Sequence, residues 1–374
     1  MLKPKAVLAA LVSLLLFIFA GTAFADYQLN LPQPAAPLPQ QIYDLHMLTT
    51  QIATIIMIVI IAVVVFAIFK FRKSKNYDAD QNFHESAFGT WSWILVPIIV
   101  LAIDLTIAGS ASDALHQIED YSKKSDVTIK VIGSQWKWTY EYMDDDIRVV
   151  SNMLSEEEAG DDYLRAVDNP LVLPVNKRIR LLHTATDVIH AWWVPEIAYK
   201  KDAIPGYINE TWTNITKEGT YRGQCAEICG TGHAYMPIVV EAVSQEKYEA
   251  WKAEKKLAMA NALAEASADK TWTKDELMSK GEVIYNTNCA ACHQVAGEGV
   301  PGVFPALAGS KIAIGDKAGH IDIVLNGTAG TAMSAWGTQL NDLEMAAVIT
   351  YERNAWGNNT NDTVQPADIK SARK

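Results

Sequence analysis

The sequence is poor in cysteine and short of positive charge. Its four cysteines in 374 residues fall in two close pairs, Cys225/Cys229 and Cys289/Cys292. Close pairs read as metal or cofactor attachment more readily than as a disulfide framework. Lys and Arg number 32 against 43 Asp and Glu, a net charge of −11, which makes nucleic acid a poor partner. Lys and Arg are missing altogether from residues 26–45 and from the stretch between the second long apolar run and Lys123. No βαβ pattern surrounds either cysteine pair, and no histidine cluster lies inside an apolar run. What remains is a length that suggests two or three domains and a mean hydropathy of +0.03, high for a chain with 20% charged residues. The apolar residues must therefore be concentrated.

They are concentrated at the start. Residues 1–25 have Lys3 and Lys5, an apolar run, then Ala23-Phe24-Ala25, the pattern of a secretory signal with an A-x-A cleavage site. Residues 26–44 hold Pro32, Pro34, Pro37 and Pro39 and are expected to be extended rather than helical. His46–Phe69 and Trp91–Ala108 are apolar and of a length that, at ~1.5 Å per residue, approaches or exceeds a ~30 Å hydrocarbon core. Lys70, Arg72, Lys73 and Lys75 in the connecting loop put that loop in the cytoplasm by the positive-inside rule. Residues 26–110 thus read as a membrane hairpin carrying a large extracytoplasmic tail. Asp104 lies inside the second span, where a carboxyl is costly; it reads as a protonated or paired group facing another subunit.

From Asp126 the pattern changes to short runs of period two, rich in β-branched and aromatic residues and separated by Pro, Gly and Asn, which predicts a β-sandwich or barrel over 126–243. Near its end stands Cys225-x3-Cys229-x3-His233-x2-Met236, with His190 on an earlier strand. Two thiolates and two imidazoles suit a tetrahedral structural zinc. The thioether of Met236 argues for copper instead, since His, Cys and a weak Met ligand form the electron-transfer copper pattern. Two cysteines rather than one suggest sulfur bridges between two metal ions.

With these residues in view the chain resembles subunit II of a haem–copper cytochrome c oxidase. The stretches "GSQWKWTYEY", "DVIHAWWVP", "KDAIPGYINE" and "CAEICGTGHAYMPIVVE" carry the resemblance. It implies a cupredoxin-like sandwich holding a binuclear copper centre, CuA. In that family Cys225 and Cys229 would bridge the coppers, His190 and His233 would each bind one, Met236 would ligate one, and Glu227 would ligate the other through its backbone carbonyl. The side chain of Glu227 would also serve a Mg²⁺ or Mn²⁺ shared with subunit I. Trp136 matches the aromatic where an electron reaches CuA from cytochrome c, and Asp187 matches a carboxylate near that docking face. Three departures stand out: Lys137 where the family has an aromatic, Tyr207 where it has Arg, and Thr90, with Glu85 nearby, where it carries a channel-mouth Glu.

Residues 244–271 are rich in Ala, Glu and Lys and are expected to form a helical linker acting as a semi-rigid spacer. Cys289-x-x-Cys292-His293 is the attachment motif for c-type haem, with His293 as one axial ligand. Capping boxes at Thr273–Glu276 and Asn341–Glu344 predict flanking helices, and residues 272–356 resemble an all-α class I cytochrome c domain. The second axial ligand is expected at Met333, which would keep the potential high; Met345 lies within the last helix and is expected to pack in the core. Pro305 is expected to shape the pocket beside His293, and residues 357–374 to form a polar tail. Acidic runs at Asp144–Asp146 and Glu156–Glu158 read as solvated loop surface.

The expected architecture is therefore multidomain: a signal, a two-helix transmembrane hairpin, a cupredoxin-like domain and a cytochrome c domain, the last two outside a bacterial inner membrane. The resemblance implies one electron wire, running from cytochrome c or another respiratory donor to haem c, then to CuA and to a haem in subunit I, where O₂ is reduced to water and protons are pumped. A subunit III is a further expected partner. A CuA-containing nitric oxide reductase is the alternative terminus, because the final reaction belongs to the partner subunit. A sensor with structural zinc is the reading from another class.

Overall fold

The computed structural model describes residues 30–78, 80–266 and 270–373; the signal read at residues 1–25 lies outside them. Two helices, α1 (Pro37–Lys70) and α2 (Ala87–Ile118), are long and apolar enough to cross a membrane. The expectation that residues up to 44 are extended is corrected here, because α1 begins at Pro37. Its two prolines stand in the first turn, where an N–H would have no intrahelical acceptor, so the missing donors cost nothing and the fixed φ suits the helix. Ser86 caps α2 by accepting the Gly89 N–H at 3.0 Å. Asp104 lies on the exposed surface of α2.

Both helices run past the expected spans, and their outer ends are tied to the next domain. The last turn of α2 leaves carbonyls without intrahelical donors. Trp212 Nε1 donates to the Gln117 carbonyl at 3.1 Å, and Arg178, stacked 3.8 Å from the Trp212 ring centroid, donates to the Asp120 carbonyl at 2.5 Å. Ahead of α1, the Ala35 N–H donates to the Glu196 carbonyl at 2.8 Å, and its own carbonyl accepts from Thr216 N at 2.9 Å.

The tied domain is a sandwich of two five-stranded sheets. The strands are β1 (Val127–Ser134), β2 (Lys137–Tyr142), β3 (Ile147–Ser151), β4 (Leu171–Pro174), β5 (Ile179–Ala185), β6 (His190–Trp193), β7 (Lys201–Ala203), β8 (Asn209–Thr213), β9 (Gly219–Cys225) and β10 (Pro237–Val243). One sheet runs β3-β2-β1-β5-β8 and the other β4-β10-β9-β6-β7. The pairs β1·β5 and β10·β4 are parallel and the rest antiparallel. Alternate residues of β1 and β5 are buried, as a half-buried strand requires. Trp138, Tyr140, Tyr142 and Trp192 fill the space between the sheets and are almost wholly excluded from solvent.

The linker is not a free spacer along its whole length. Helix α4 (Gln245–Ala266), which follows the one-turn α3 (Glu156–Ala159), buries Tyr248 and brings Trp251 to 4.9 Å from the Tyr142 ring. Lys252 and Lys256 reach Asp145 at 3.2 and 2.7 Å. Asp145, expected in solvated loop surface, instead anchors α4 to the sandwich.

The C-terminal region is helical: α5 (Lys274–Asn288), α6 (Ala290–His293), α7 (Lys317–Asn326), α8 (Asp342–Asn354) and α9 (Pro366–Ala372). The capping boxes at Thr273/Glu276 and Asn341/Glu344 are both formed. Helices α5 and α8 cross closely at Gly281, where an added Cβ would lie 2.2 Å from the Ala347 carbonyl oxygen. Residues beyond 356 differ from the expected polar tail. Val364 and Ile369 are fully buried, Arg353 pairs with Asp362 at 2.7 Å, and the Gln365 side chain bonds both the N–H and the carbonyl of Trp272. Two apolar residues among many polar ones suffice to seat this segment, which is why composition concealed it.

Candidate metal and haem sites

The strands assemble the first site from three places in the sequence. His190 opens β6, Cys225 closes β9, and the loop from β9 to β10 supplies Glu227, Cys229, His233 and Met236. The two sulfurs lie 3.8 Å apart, both as free thiols. His190 Nδ1 is 4.0 Å from Cys225 Sγ, and His233 Nδ1 is 3.5 Å from Cys229 Sγ. Met236 Sδ lies 3.5 Å from Cys229 Sγ, and the Glu227 carbonyl oxygen 3.4 Å from Cys225 Sγ. All six expected ligands therefore converge on one small volume. His190, Cys225, Cys229 and Met236 are buried, His233 is half-buried and Glu227 points its side chain outward to solvent.

A second set of contacts, not anticipated as a set from the sequence, orients these ligands. His190 Nε2 donates to Asp187 Oδ1 at 2.9 Å, which leaves the Nδ1 lone pair turned toward sulfur. Such a carboxylate partner is the usual support of a metal-bound imidazole. Asp187 is itself held by the Gln135 and Val188 N–H groups, both at 2.7 Å. It is neither an unpaired surface acid nor a free docking charge. The loop backbone is pinned by three side chains: Gln135 Nε2 and Trp136 Nε1 donate to the Cys229 carbonyl at 2.8 and 3.1 Å, and Trp138 Nε1 donates to the Met236 carbonyl at 3.2 Å. Two glycines allow the close approach, since a Cβ at Gly133 would meet the His190 ring at 2.8 Å and one at Gly232 would meet the Trp136 indole at 2.2 Å. The spacing Asp-x-x-His in "DVIH" was the one signal of the carboxylate partner.

The electrostatics favour thiolate. Cys225 is held well below the usual thiol range, first by the hydrogen bond from the Cys229 thiol and then by His190 and backbone donors, against the cost of burial. Cys229 is pushed up, because a second negative charge would sit beside the first. The pair gives up one proton readily and a second only to a cation. Burial opposes an imidazolium at His190, but Asp187 and Cys225 outweigh it and raise its pKa. The donor set fits a pair of soft metal ions: two thiols close enough to share metal ions at ordinary metal–sulfur distances of ~2.3 Å, with imidazole, thioether and carbonyl around them.

The second site is contiguous. Cys289 ends α5, Cys292 and His293 end the single turn α6, and both cysteines are free thiols. His293 Nδ1 lies 2.9 Å from the Pro305 carbonyl, so the proton sits on Nδ1 and Nε2 is left for a ligand, the arrangement an axial histidine needs. Met333 is half-buried in the loop before α8 and packs against the helical core, while Met345 is fully buried within α8. The residues fit a c-type haem by donor chemistry: two thiols, an oriented imidazole and a loop thioether.

The two sites adjoin. Trp136 is 8% exposed, and its ring meets Phe304, from the haem-motif loop, edge-on at 5.9 Å. Cys292 and Phe304 both pack against the sandwich core.

The family model described as cytochrome c oxidase subunit II, periplasmic domain, matches residues 127–243, and that of the subunit II transmembrane domain matches residues 25–108. The model of cytochrome c oxidase, cbb3-type, subunit III matches residues 276–351. A probable cytochrome c oxidase subunit 2 of Rickettsia bellii is 38% identical over 253 residues, 66% of this chain and 92% of its own length. Cytochrome c oxidase subunit 2 of Cereibacter sphaeroides is 34% identical over 267 residues, 63% of this chain and 86% of its own. A crystal structure of the periplasmic domain of cytochrome oxidase subunit II from Bradyrhizobium japonicum is 42% identical, with a TM-score of 0.35, covering 36% of this chain and 97% of that one.

Proposed function

The chain belongs to the cytochrome c oxidase subunit II family, and from that premise we propose that it is the electron-intake subunit of a proton-pumping terminal oxidase of a bacterial inner membrane, taking electrons from cytochrome c or another respiratory donor at haem c and passing them by way of CuA to subunit I for reduction of O₂ to water. A copper pair would be held by the Cys225 and Cys229 thiolates, the His190 and His233 imidazoles, the Met236 thioether and the Glu227 carbonyl. A c-type haem would be held by Cys289 and Cys292, with His293 and Met333 supplying its iron ligands. When bound, these groups supply the one-electron couples that none of the side chains has by itself.

The protein's own task is to hold ligands still and to bring the two centres close. Gln135, Trp136 and Trp138 restrain the copper loop through its carbonyls, and Asp187 restrains His190. A site restrained in this way rearranges little when its charge changes, which favours fast transfer. The observation that carries the reading is Trp136: its indole N–H bonds the Cys229 carbonyl while its ring touches Phe304 beside the haem motif. The copper loop exposes Ile228 and Tyr235 along with the Glu227 side chain, a surface suited to subunit I and to a shared Mg²⁺ or Mn²⁺. A subunit III completes the assembly.

Metal and haem analysis of the purified complex tests this directly. About two coppers per covalent haem, with a near-infrared copper–thiolate band, is the expected result. Zinc in place of copper would remove the proposal's middle. Oxygen consumption rather than nitric oxide consumption by the same preparation identifies the terminal reaction.

A further inference from the structure

Lys137 is only 7% exposed, although a lone lysine is rarely buried so deeply. It stands on β2 between Trp136 and Trp138, and the alternation of a strand turns it away from the sandwich core that Trp138 enters. What covers it is the helical domain. Its Nζ donates to Asn288 Oδ1 at 3.0 Å and lies 4.6 Å from the Trp336 ring centroid. Asn288 immediately precedes Cys289, and Trp336 follows Met333 by three residues. One ammonium thus touches both the segment that leads into the cysteine motif and the loop that carries Met333. Arg148, on β3, makes a longer 3.5 Å contact with the Gln339 carbonyl on the same face.

We propose that Lys137 is a positioning residue that selects the register in which the haem domain docks on the copper domain, an inference that rests on the electron-transfer reading above. A buried ammonium is tolerated only where its donors and charge are satisfied. In this register the Asn288 amide oxygen and the Trp336 ring meet it together. A rotated or shifted haem domain would bury the same charge against apolar or unmatched surface, and that pose is disfavoured. Burial also pushes the amine down to about 8, so the lysine adds little net strength to the docking. Its contribution is the exclusion of competing poses, the use for which buried charges are best attested. The Arg148 contact is long and exposed to solvent, and the packing of Phe304 and Cys292 on the sandwich side is apolar, so neither chooses between neighbouring registers as a buried charge does.

The test uses the full chain in its purified complex. Spin labels at Glu156→Cys and Asp322→Cys, one on each domain and both at exposed positions, report the distance distribution between the domains. A narrow distribution is expected for the native residue, a broadened or multimodal one for Lys137→Met, and a narrow one again for Lys137→Arg, whose guanidinium also stacks on a ring and donates. After rapid reduction of haem c, electron arrival at copper is expected to slow roughly tenfold or more in Lys137→Met and to become multiphasic, because small misplacements of reacting partners are costly. The copper near-infrared band and the haem spectrum should not change. Lys137→Met and Trp336→Leu should be non-additive, since both break one contact. A native distribution and a native, single-phase rate in Lys137→Met overturn the assignment, as does a loss that Lys137→Arg shares in full. Failure of the reading beneath it would look different: no electron exchange between haem c and copper in the unsubstituted protein.

Discussion

The copper loop and the haem motif hold their ligands in opposite ways. The first draws on His190, Cys225 and a loop reaching Met236, which meet only because β6, β9 and β10 are neighbours in one sheet. The second carries both thiols and an imidazole within five consecutive residues, and α5 and α6 present them locally. An assembled site is as sound as the sheet that assembles it and needs a surrounding set of hydrogen bonds. A contiguous site needs mainly that its own turn forms. The difference gives each site its own points of weakness.

The largest effect should come from breaking the assembled site at its ligands. Cys229→Ser is expected to abolish copper loading while leaving covalent haem in place, measured as the copper-to-haem ratio of the purified complex. Equal loss of both would mean that the two sites fold as one. A milder break removes support and spares the ligands: Asp187→Asn should weaken copper retention by roughly 10–100-fold against a chelator. Unchanged retention would show that β6 alone orients His190.

The contiguous site can be tested through its frame. Gly281→Ala puts a methyl against the Ala347 carbonyl and should destabilise the helical domain by ~1–3 kcal/mol, seen as a lower denaturation midpoint of the haem signal with the copper band unaffected. An unchanged midpoint would mean that α5 and α8 part without cost.

The smallest effect concerns the join. The docked Lys137 amine titrates near 8, lowered by burial from 10.5. Between those values the undocked amine holds a proton that the docked one releases, so docking strengthens as pH rises through the window. Below about 8 the cost of burying the charge is fully present. Protection of residues 335–341 from amide exchange, corrected for intrinsic rates, should increase by up to roughly tenfold from pH 7 to 9. Lys137→Arg, charged throughout, should show no such change.

Much of this was legible in one dimension. The haem motif is local, so its spacing states its chemistry. The copper loop is nearly so, with only His190 distant. Capping boxes at Thr273 and Asn341 announced two helices because a capping box spans only four residues. Illegible features depended on what lies across a gap in sequence. Asp145 looked like loop surface until α4 brought Lys252 and Lys256 to it. Pro37 looked like a helix breaker, although in a first turn it breaks nothing. The last eighteen residues looked like a tail because Val364 and Ile369 are isolated among polar neighbours.

The order of elements and the apolar spans were settled by the chain alone, and the candidate ligands could be named from it, since hydropathy, period and donor chemistry are properties of short segments. Tertiary structure alone decided which nitrogen of His190 and of His293 is taken up by a protein hydrogen bond, that Asp187 is a partner and not a surface charge, and that Lys137 lies under the helical domain rather than in water. Each of these depends on a hydrogen bond or a burial between residues far apart in sequence, and such pairings exist only once the chain has closed on itself.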